Sequence, residues 1–408
     1  MKKVCVVTGS RADYGLLRWV MQGLADSPVC RLQVVATGMH LSPEFGSTWG
    51  AIEADGFTID WRVEMLLGSD TAVAVSKSMG LGLAGFADAY AHLAPDLVVL
   101  LGDRFEILAA ASAALVAGIP IAHLHGGEVT KGAYDDSIRH AITKMAHLHF
   151  TAAEPYRKRV IQMGEAPEYV WNVGGFGLDN VLKLEPMSRD ELEESLGLDL
   201  GARSLMVTFH PETASGAAPT QQMQELLAAL EQIDAQLIFT MPNADNEGRA
   251  LFTMIEAFVV ANPGRACMHT SLGQRRYLSA LGEVDGVVGN SSSGLIEAPA
   301  MGTGTVNIGT RQDGRLRAAS VIDCPAEREA IATAIARLFS PEFQAGLAEV
   351  VNPYGTGGAA ARTVAAIEAW SPPDAAKRFF DWDLPAKVRA PDAPRTHPTP
   401  NVGSESEP

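Results

Sequence analysis

The stretch Leu-Leu-Gly-Asp-Arg-Phe-Glu at residues 100–106 joins the end of an apolar run to the start of a helical one. Two later stretches resemble it, Ile-Ala-His-Leu-His-Gly-Gly-Glu at residues 121–128 and Tyr-Asp-Asp-Ser-Ile-Arg-His at residues 134–140. A buried strand has no structural reason to finish in Gly-Asp-Arg or His-Gly-Gly-Glu. In open α/β sheets, ligands bind at the carboxyl ends of the strands. The three stretches therefore predict an acid/base site along one edge of a parallel sheet.

Outward from these stretches, short β-branched runs alternate with amphipathic stretches almost from end to end. This alternation predicts parallel sheets covered by helices on both faces. The glycine-rich turn at residues 174–177 and the polar segment at residues 185–201 interrupt the rhythm, which then restarts. The sequence thus predicts an α/β fold with two Rossmann-like domains that face each other across a cleft.

The predicted domain boundaries follow from that interruption. Residues 1–175 form the first Rossmann-like domain, with the candidate catalytic carboxylates, and residues 176–370 form the second, nucleotide-binding one. A last helix, roughly residues 358–370, could pack back on the first domain. Prolines punctuate residues 371–408, and such a polar segment buries too little apolar surface to offset its ordering entropy. We expect a disordered tail there.

Composition excludes several classes of function. The 408 residues carry a net charge of −16, which disfavours nucleic acid as the main partner. The four cysteines include no CxxC pair, so buried thiols in a reducing cytoplasm are favoured over disulfides. No apolar run is long enough to span a membrane, and the apolar run at the N-terminus ends too early for a signal peptide.

The candidate acid/base groups are Asp103, His125, Glu128 and Asp135. Asp103 could instead cap the helix that follows it, and the helix dipole alone could account for an aspartate at position 135. His125 and Glu128 flank a Gly-Gly turn, which favours substrate contact or proton transfer. The His-x-His pair at residues 123–125 suggests a metal, but no second set of ligands has recognisable spacing, so we expect none.

Four further residues are candidates for binding substrate in the first domain. Arg11 lies in a Thr-Gly-Ser-Arg turn that could admit an anion, although a plain tight turn is the alternative. Arg104 could orient Asp103 or pair elsewhere. Asp136 shares a helix face with the arginine and the histidine three and four residues later, so an internal network is the alternative to ligand contact. His40, after the second strand, could touch substrate or a regulatory ligand.

The most specific motif of the second domain is Gly-Asn-Ser-Ser-Ser-Gly-Leu-Ile-Glu at residues 289–297. A strand that ends in serines and glycine and runs into a helix presents amides and hydroxyls to a phosphate. Glu297, one turn into the helix, could accept hydrogen bonds from ribose hydroxyls. Arg311 could close over the anion or be a surface charge. The predicted phosphate-contacting residues are Ser291, Ser292, Ser293 and Gly294.

Taken in order, these motifs resemble those of the hydrolysing UDP-N-acetylglucosamine 2-epimerases, in the branch that feeds the synthesis of sialic-acid-type sugars. The resemblance covers about residues 1–370. It implies a glycosyltransferase-B-like fold, a UDP-linked sugar substrate, a homo-oligomer, and chemistry without metal or other cofactor. The reaction that it implies converts UDP-GlcNAc and water to N-acetylmannosamine and UDP. Loss of the C2 proton and anti departure of UDP give 2-acetamidoglucal, to which water then adds.

The resemblance also implies residue roles. Asp103 and Asp135 match positions assigned to proton transfer, and His210 matches a histidine near the departing phosphate. Ser291 and Ser292, in the turn at residues 291–294 that we call the serine turn, and Glu297 match diphosphate and ribose contacts. Arg11 and Arg311 match arginines that face the anion. Many relatives carry Glu where this chain has His125, so either His125 or the nearby Glu128 takes that task.

Three rival functions follow from the same residues. The nearest is an epimerase-hydrolase acting on a 2,4-diacetamido-trideoxyhexose linked to UDP or GDP, which would share every motif. A glycosyltransferase of the same fold would need an acceptor site but not three carboxylates around the sugar. A non-catalytic nucleotide-sugar sensor would be expected to lack some of the acidic residues, yet none of them is missing.

Overall fold

The strands of this chain form two parallel sheets, one of seven strands and one of six. The computed structural model describes residues 1–69, 71–130, 134–211, 218–241, 248–270, 272–372 and 377–381. We call the part built on the seven-stranded sheet the first lobe and the part built on the six-stranded sheet the second lobe. The predicted α/β fold with two Rossmann-like units is confirmed.

The first sheet has the strand order β3-β2-β1-β4-β5-β6-β7. Its strands are β1 (Lys2–Thr8), β2 (Cys30–Thr37), β3 (Trp61–Val63), β4 (Leu97–Leu101), β5 (Ile121–Leu124), β6 (Leu148–Thr151) and β7 (Val170–Asn172). The helices along this part of the chain are α1 (Arg11–Ala25), α2 (Trp49–Ala54), α3 (Ala72–Leu93), α4 (Phe105–Val116), α5 (Asp135–Met145), α6 (Glu154–Gln162) and α7 (Gly177–Leu182). Every residue of β4 is buried, as expected for a central strand covered on both faces.

The second sheet has the order β10-β9-β8-β11-β12-β13. Its strands are β8 (Ser204–Thr208), β9 (Gln236–Thr240), β10 (Ala266–His269), β11 (Gly286–Gly289), β12 (Gly304–Ile308) and β13 (Val321–Cys324). The remaining helices are α8 (Arg189–Leu196), α9 (Pro219–Glu231), α10 (Gly248–Ala261), α11 (Gly273–Glu283), α12 (Ser293–Ala300), α13 (Arg328–Leu338), α14 (Pro341–Gly346) and α15 (Ala359–Ala369).

In each sheet the strand order reverses between two central strands, β1 and β4 in the first sheet and β8 and β11 in the second. At such a switch point the neighbouring loops diverge and leave a crevice where ligands bind. Arg11, at the start of α1, and Asp103 follow β1 and β4, and His210 and the serine turn follow β8 and β11. The fold therefore places the predicted motifs of each lobe beside its crevice.

The last helix, α15, packs in the core of the first lobe. Val364 and Ile367 belong to the same buried cluster as Val4 and Val6 of β1. The carboxylate of Asp179 in α7 accepts hydrogen bonds from the backbone amides that begin α15, at 3.0 Å from the Ala359 nitrogen. A carboxylate at the N-terminus of a helix satisfies otherwise unpaired donors and complements the helix dipole.

Several elements escaped the sequence analysis. The strands β3, β10 and β13 lie at sheet edges and have only three or four residues, too few for a clear pattern. The polar segment 185–201 contains α8, which begins with a capping box formed by Ser188 and Glu191. This helix was not predicted because most of its residues are polar, although it buries Leu192 and Leu196.

The prediction of a disordered tail is wrong for residues 377–381. Nζ of Lys377 lies 2.7 Å from Oε2 of the buried Glu165 and donates to the carbonyl oxygen of Lys144, in the last turn of α5, at 2.7 Å. The backbone N–H of Phe380 donates to the carbonyl oxygen of Gly164 at 2.9 Å. A buried carboxylate and unpaired helix carbonyls provide a docking site that composition does not reveal. Residues 373–376 and 382–408 lie outside the described residues.

None of the helices in the described residues is long and apolar enough to cross a membrane.

Candidate active site

Asp103 follows β4 and lies in an ion pair. Gly102, at φ +81°, turns the chain away from the strand. The Asp103 carboxylate accepts a hydrogen bond from Nη2 of Arg139 in α5. The Arg139 side chain is only 4% exposed and also donates to Oγ1 of Thr130 at 3.0 Å. Arg139 thus fixes the orientation of the Asp103 carboxylate from the neighbouring helix.

His125 and Glu128 form an imidazole–carboxylate pair at the end of β5. The His125 backbone has φ +63°, in the left-handed region that non-glycine residues rarely adopt. Its ring Nδ1 lies 2.6 Å from Oε1 of Glu128. Burial alone would raise the pKa of the Glu128 carboxyl, but His125 holds that pKa below its usual value. Within the described residues, His125 Nε2 is buried without a hydrogen-bond partner. The left-handed backbone of His125 is a local strain of the kind that is typical of functional sites.

Asp135 and Asp136 begin α5 and differ in their contacts. Oδ1 of Asp136 accepts from the Thr130 amide at 2.8 Å, and its Oδ2 lies 3.5 Å from Nε2 of His140. Asp136 therefore belongs to the internal network that its helix spacing allowed. Burial raises the pKa of the Asp135 carboxyl, although Arg104 opposes that shift. A half-buried carboxyl with a raised pKa suits proton exchange better than one in water.

Arg104 pairs with Glu106 rather than with Asp103. Its Nε lies 2.5 Å from Oε1 of Glu106, whose side chain is 1% exposed. Burial and the nearby Glu106 raise the pKa of Asp13 to about 6. Gly9 makes room for this cluster, since a Cβ there would lie 2.7 Å from the Glu106 carboxylate. Glu106 was not predicted as a site residue, because its only signal in the sequence was an acidic side chain on a helix that begins at the strand end.

Two histidines of the first lobe are committed to the protein interior. His40 is fully buried, and its two ring nitrogens lie 3.0 Å from Oγ1 of Thr8 and 2.8 Å from Oγ1 of Thr48. Burial lowers the pKa of His40 to about 4. The ring of His123 is similarly enclosed, with Nε2 2.8 Å from the carbonyl oxygen of Gly102. The structure therefore favours packing over ligand contact for His40.

The second lobe arranges its strand ends around Asn290. Its amide exchanges two hydrogen bonds with the His210 backbone, at 2.7 Å to the nitrogen and 2.9 Å to the carbonyl oxygen. The backbone carbonyl oxygen of Asn290 accepts hydrogen bonds from Arg311 Nη1 at 3.1 Å and from Gln312 Nε2 at 2.8 Å. Asn290 was missed by the sequence analysis because its partners lie far along the chain. It fixes the loops after β8, β11 and β12 relative to one another.

The serine turn leads directly into α12, and the Ser291 hydroxyl accepts a hydrogen bond from the Ser293 amide at 3.4 Å. Ser292 precedes the helix, but its hydroxyl makes no cap hydrogen bond to the first turn. Gly289 has φ +141°, and a Cβ there would collide with the carbonyl oxygen of Thr208. At Gly294 a Cβ would lie 2.7 Å from Cγ2 of Thr305, so this glycine lets α12 approach β12. The amides of Ser293 and Gly294 donate to the hydroxyl and the carbonyl oxygen of Ser291, so the serine hydroxyls and the positive end of the helix dipole are what this turn offers to an anion.

His210 and Arg311 stand beside this turn. Burial, reinforced by the positive charge of Arg311, lowers the pKa of His210 to about 4. The imidazole is therefore neutral near pH 7, where one ring nitrogen donates a hydrogen bond and the other accepts one. The neutral imidazole can donate one hydrogen bond to a leaving phosphate, and the neighbouring Arg311 supplies the positive charge.

The two lobes meet at Glu297. Its carboxylate lies against Gly177, at the start of α7, where a Cβ would collide with it. Burial raises the pKa of Glu297 to about 7, outweighing the opposing effects of Ser293 and His125. On the first-lobe side, the His125 ring lies 5.4 Å from the ring of Phe176. The imidazole–carboxylate pair of one lobe and the predicted ribose contact of the other thus face the same cleft.

Arginines cross between the lobes. Nη2 of Arg11 lies 3.8 Å from the position that a Cβ would take at Gly273 in the second lobe. Arg315, after β12, lowers the pKa values of both Glu128 and Glu297. No group of three His, Cys, Asp or Glu side chains among the described residues is placed to hold a metal.

A family model described as UDP-N-acetylglucosamine 2-epimerase matches residues 22–368. The chain belongs to this family. The resemblance inferred from the motifs is confirmed, and two relatives in the hydrolysing and sialic-acid branches strengthen it. The chain is 39% identical over 344 residues to a GDP/UDP-N,N′-diacetylbacillosamine 2-epimerase (hydrolyzing) of Campylobacter jejuni, covering 84% of this chain and 89% of the relative. It is 40% identical over 356 residues to the polysialic acid biosynthesis protein P7 of Escherichia coli, covering 87% and 90%.

Solved structures of this 2-epimerase family share the fold. A putative UDP-N-acetylglucosamine 2-epimerase from Listeria monocytogenes superposes with a TM-score of 0.76 at 20% identity, covering 90% of this chain and 96% of that one. The predicted glycosyltransferase-B-like arrangement of the 2-epimerases is therefore confirmed, and the protein is a member of an enzyme family.

Proposed function

We propose that this enzyme is a hydrolysing UDP-N-acetylglucosamine 2-epimerase, which converts UDP-GlcNAc and water to N-acetylmannosamine and UDP. The observation that carries the proposal is the meeting of two unlike strand-end regions in one cleft. The first lobe contributes carboxylates and an imidazole, and the second contributes a serine-lined helix N-terminus beside a neutral histidine and an arginine. A reaction that moves a proton on a sugar and expels a diphosphate needs both.

The first half of the reaction is an elimination. A base removes the C2 proton, the C2–H electrons form the C1=C2 bond of 2-acetamidoglucal, and the C1–O bond to UDP breaks. The candidate bases are Asp103, oriented by Arg139, the His125–Glu128 pair, and Asp135 with its raised pKa. Two groups are required, because C2 loses its proton on one face and regains one on the other.

The second half is a hydration. Water oxygen adds to C1 while C2 receives a proton on the opposite face, which gives free N-acetylmannosamine. During the elimination the negative charge builds up on the β-phosphate of the departing UDP. His210, Arg311 and the serine turn lie on the lobe that would receive this charge. Glu297 is assigned to the ribose hydroxyls, for which a carboxylate is a good acceptor.

A second substrate is favoured by one specific finding. The Campylobacter relative is named for N,N′-diacetylbacillosamine linked to GDP or UDP, whereas the Escherichia coli relative is named for polysialic acid synthesis. UDP-GlcNAc and nucleotide-linked N,N′-diacetylbacillosamine both carry an acetamido group at C2, so the chemistry at C1 and C2 is the same. N-acetylglucosamine has hydroxyls at C4 and C6. N,N′-diacetylbacillosamine has an acetamido group at C4, and its C6 is a methyl.

The test is proton NMR of the purified protein with UDP-GlcNAc in heavy water. The expected result is UDP together with N-acetylmannosamine that carries deuterium at C2. The Asp103→Asn variant is the control for contaminating hydrolases, since it should bind UDP and turn over little. Formation of UDP-N-acetylmannosamine without free sugar would overturn the hydrolytic assignment.

A parallel incubation with UDP- and GDP-linked N,N′-diacetylbacillosamine separates the two substrates. Faster release of a deuterated sugar from either of these would replace the substrate but keep the reaction. Absence of turnover with all three nucleotide sugars would overturn the proposed function.

A further inference from the structure

The segment at residues 377–381 lies beyond α15 and docks on the first lobe where α5, β6 and the turn after α6 come together. The backbone N–H of Phe380 donates to the carbonyl oxygen of Gly164, and the Phe380 side chain packs against a small buried cluster of α6 and β7. The ring of Phe379 covers Gly164, where a Cβ would collide with it. Backbone and side chains of the segment therefore both contact the lobe.

Lys377 reaches a carboxylate that two other side chains already contact. Glu165 is buried, with Oε1 2.5 Å from Nζ of Lys144 and Oε2 2.9 Å from Nε2 of His149. Nζ of Lys377 lies 2.7 Å from the same Oε2. Burial alone would raise the pKa of the Glu165 carboxyl, but His149 and the two lysines lower it to about 2. Two lysines thus share one carboxylate, and one positive charge is left over.

The excess positive charge lies at the C-terminal end of α5. The last carbonyl groups of a helix have no partner within the helix, and the helix dipole places negative charge there. Nζ of Lys377 donates to the carbonyl oxygens of Lys144 at 2.7 Å and of Ala146 at 2.5 Å. The Lys377 side chain is only 24% exposed, so these bonds are shielded from water more than those of a surface ion pair. A lysine from a distant segment therefore caps α5.

From this capped end, α5 makes two connections to Asp103. Arg139, in the middle of α5, holds the Asp103 carboxylate. Thr143, one turn nearer the cap, lies with Oγ1 3.1 Å from Nδ1 of His123, whose Nε2 contacts the carbonyl oxygen of Gly102. Burial lowers the pKa of His123 to about 3, so the ring is neutral. Nε2 donates, because a carbonyl oxygen only accepts, and Nδ1 accepts from the Thr143 hydroxyl.

We propose that residues 377–381 are an intramolecular strap and that Lys377 is a positioning residue for the reaction. By capping the C-terminal end of α5, Lys377 fixes the place of Arg139, and with it the orientation of the Asp103 carboxylate. The family match ends at residue 368, so the strap lies outside the part of the chain that the family model covers. The positioning role rests on the proposed function, in which Asp103 exchanges a proton, whereas the strap itself does not.

Hydrogen exchange followed by mass spectrometry tests the strap on the full-length, nucleotide-free protein. Lys377→Met removes the ammonium group and keeps an unbranched apolar stem. Amide exchange in α5 should then become at least about tenfold faster, the usual worth of one hydrogen bond to a charged group. Arg378→Met is the matched control, because Arg378 is the next residue, has the same charge and is exposed. Lys377→Arg keeps the charge and the donors and should restore most of the protection.

Steady-state kinetics and calorimetric titration with UDP test the positioning role in the same three variants. Lys377→Met should lower kcat about tenfold, because a small displacement of a reacting group has effects of at least this size. The affinity for UDP should stay unchanged, since UDP is assigned to the second lobe. Lys377→Arg should recover most of kcat, and Arg378→Met should match the wild type. Circular dichroism at the assay temperature should show that all three variants are folded.

Four results distinguish the strap, the positioning role and the proposed function. Equal exchange of α5 in Lys377→Met and Arg378→Met would overturn the strap. Faster exchange with an unchanged kcat would overturn the positioning role. A loss of UDP affinity as large as the loss of kcat would overturn that role as well, because the effect would then not be confined to the first lobe. A wild type that turned over none of the nucleotide sugars would overturn the proposed function, and the exchange rates would still decide whether Lys377 holds α5.

Discussion

The two strand-end regions that form the cleft differ in what fixes their geometry: pairs of ionisable side chains in the first lobe, and the backbone in the second. In the first lobe, ionisable side chains hold each other in place: Asp103 with Arg139, His125 with Glu128, and Arg104 with Glu106. In the second lobe, the turn depends on Gly289, which no other residue can replace, and on the backbone bonds of Asn290. Proton exchange needs side chains whose pKa values are tuned, whereas anion binding needs a fixed backbone.

The largest effect is expected from substitutions in the first lobe. Asp103→Asn and Glu128→Gln should each reduce kcat by about 10²- to 10⁴-fold, the usual contribution of a positioned acid or base. The affinity for UDP should stay close to that of the wild type, because UDP is assigned to the other lobe. Steady-state kinetics and calorimetric titration with UDP measure the two quantities. A parallel loss of UDP affinity would contradict the assignment of proton transfer to the first lobe and of UDP binding to the second.

The next effect concerns the backbone of the second lobe. Gly289→Ala should lower the free energy of unfolding by more than about 3 kcal/mol, since the added Cβ collides with the Thr208 carbonyl oxygen. Gly302→Ala is the matched control, because Gly302 also has positive φ, +73°, but has open space around it. It should cost only about 1–2 kcal/mol. Urea denaturation followed by circular dichroism compares them, and equal losses would contradict the steric argument.

A smaller effect is expected from the hydroxyls of the serine turn. Ser291→Ala and Ser292→Ala should each weaken UDP binding by about 1.5–3 kcal/mol, the usual worth of a hydrogen bond to a charged group. Deuterium incorporation per product molecule should not change, because proton exchange belongs to the other lobe. Ser195→Ala, whose hydroxyl donates within α8, is the control. If the serine variants bound UDP as tightly as this control, the turn would not be the diphosphate site.

The smallest effect concerns Glu297, at the junction of the two lobes. Its pKa is raised by burial to about 7, so ionised Glu297 is less favourable in the folded state than in the unfolded state. The favourable contribution of the protonated form is complete below pH about 4.5 and is lost as pH rises through about 7. Glu297→Gln should therefore raise the Tm of the nucleotide-free protein more at pH 8.5 than at pH 5.

Thermal melts at the two pH values, with exposed Glu231→Gln as the control, measure this difference for Glu297. A Tm change that is the same at both pH values would mean that Glu297 titrates normally and is not buried at the junction.

The sequence predicted those parts of the site that follow a strand directly. Asp103, His125 and the serine turn each end an apolar run, and the rule that ligands bind at strand ends was sufficient to find them. The partners that hold them were not predicted as such: Arg139 is 36 residues from Asp103, and Asn290 is 80 residues from His210. Such pairings depend on which strands are neighbours in the sheet, and periodicity does not contain that order.

Two expectations that the structure does not favour also have physical explanations. His40 was a candidate ligand because it follows a strand, yet Thr8 and Thr48 occupy both of its ring nitrogens. The segment at residues 377–381 was expected to be disordered because its neighbourhood is rich in proline. Lys377, which reaches the buried Glu165, and the Phe380 backbone, which donates to Gly164, hold it against the first lobe.

The return of α15 to the first lobe affects how the chain folds during synthesis. Lys2, in the first strand, donates to the carbonyl oxygen of Ile367 at 2.6 Å, so the two ends of the described fold are joined directly. The nascent first lobe leaves the ribosome with the side of α1 that α15 covers still exposed, and it stays so until the whole second lobe has been translated. Contacts of such long sequence separation form late. A chain truncated before residue 359 would therefore expose the side of α1 around Gly23 that Val364 covers, and we expect it to aggregate although every strand of both sheets would be present.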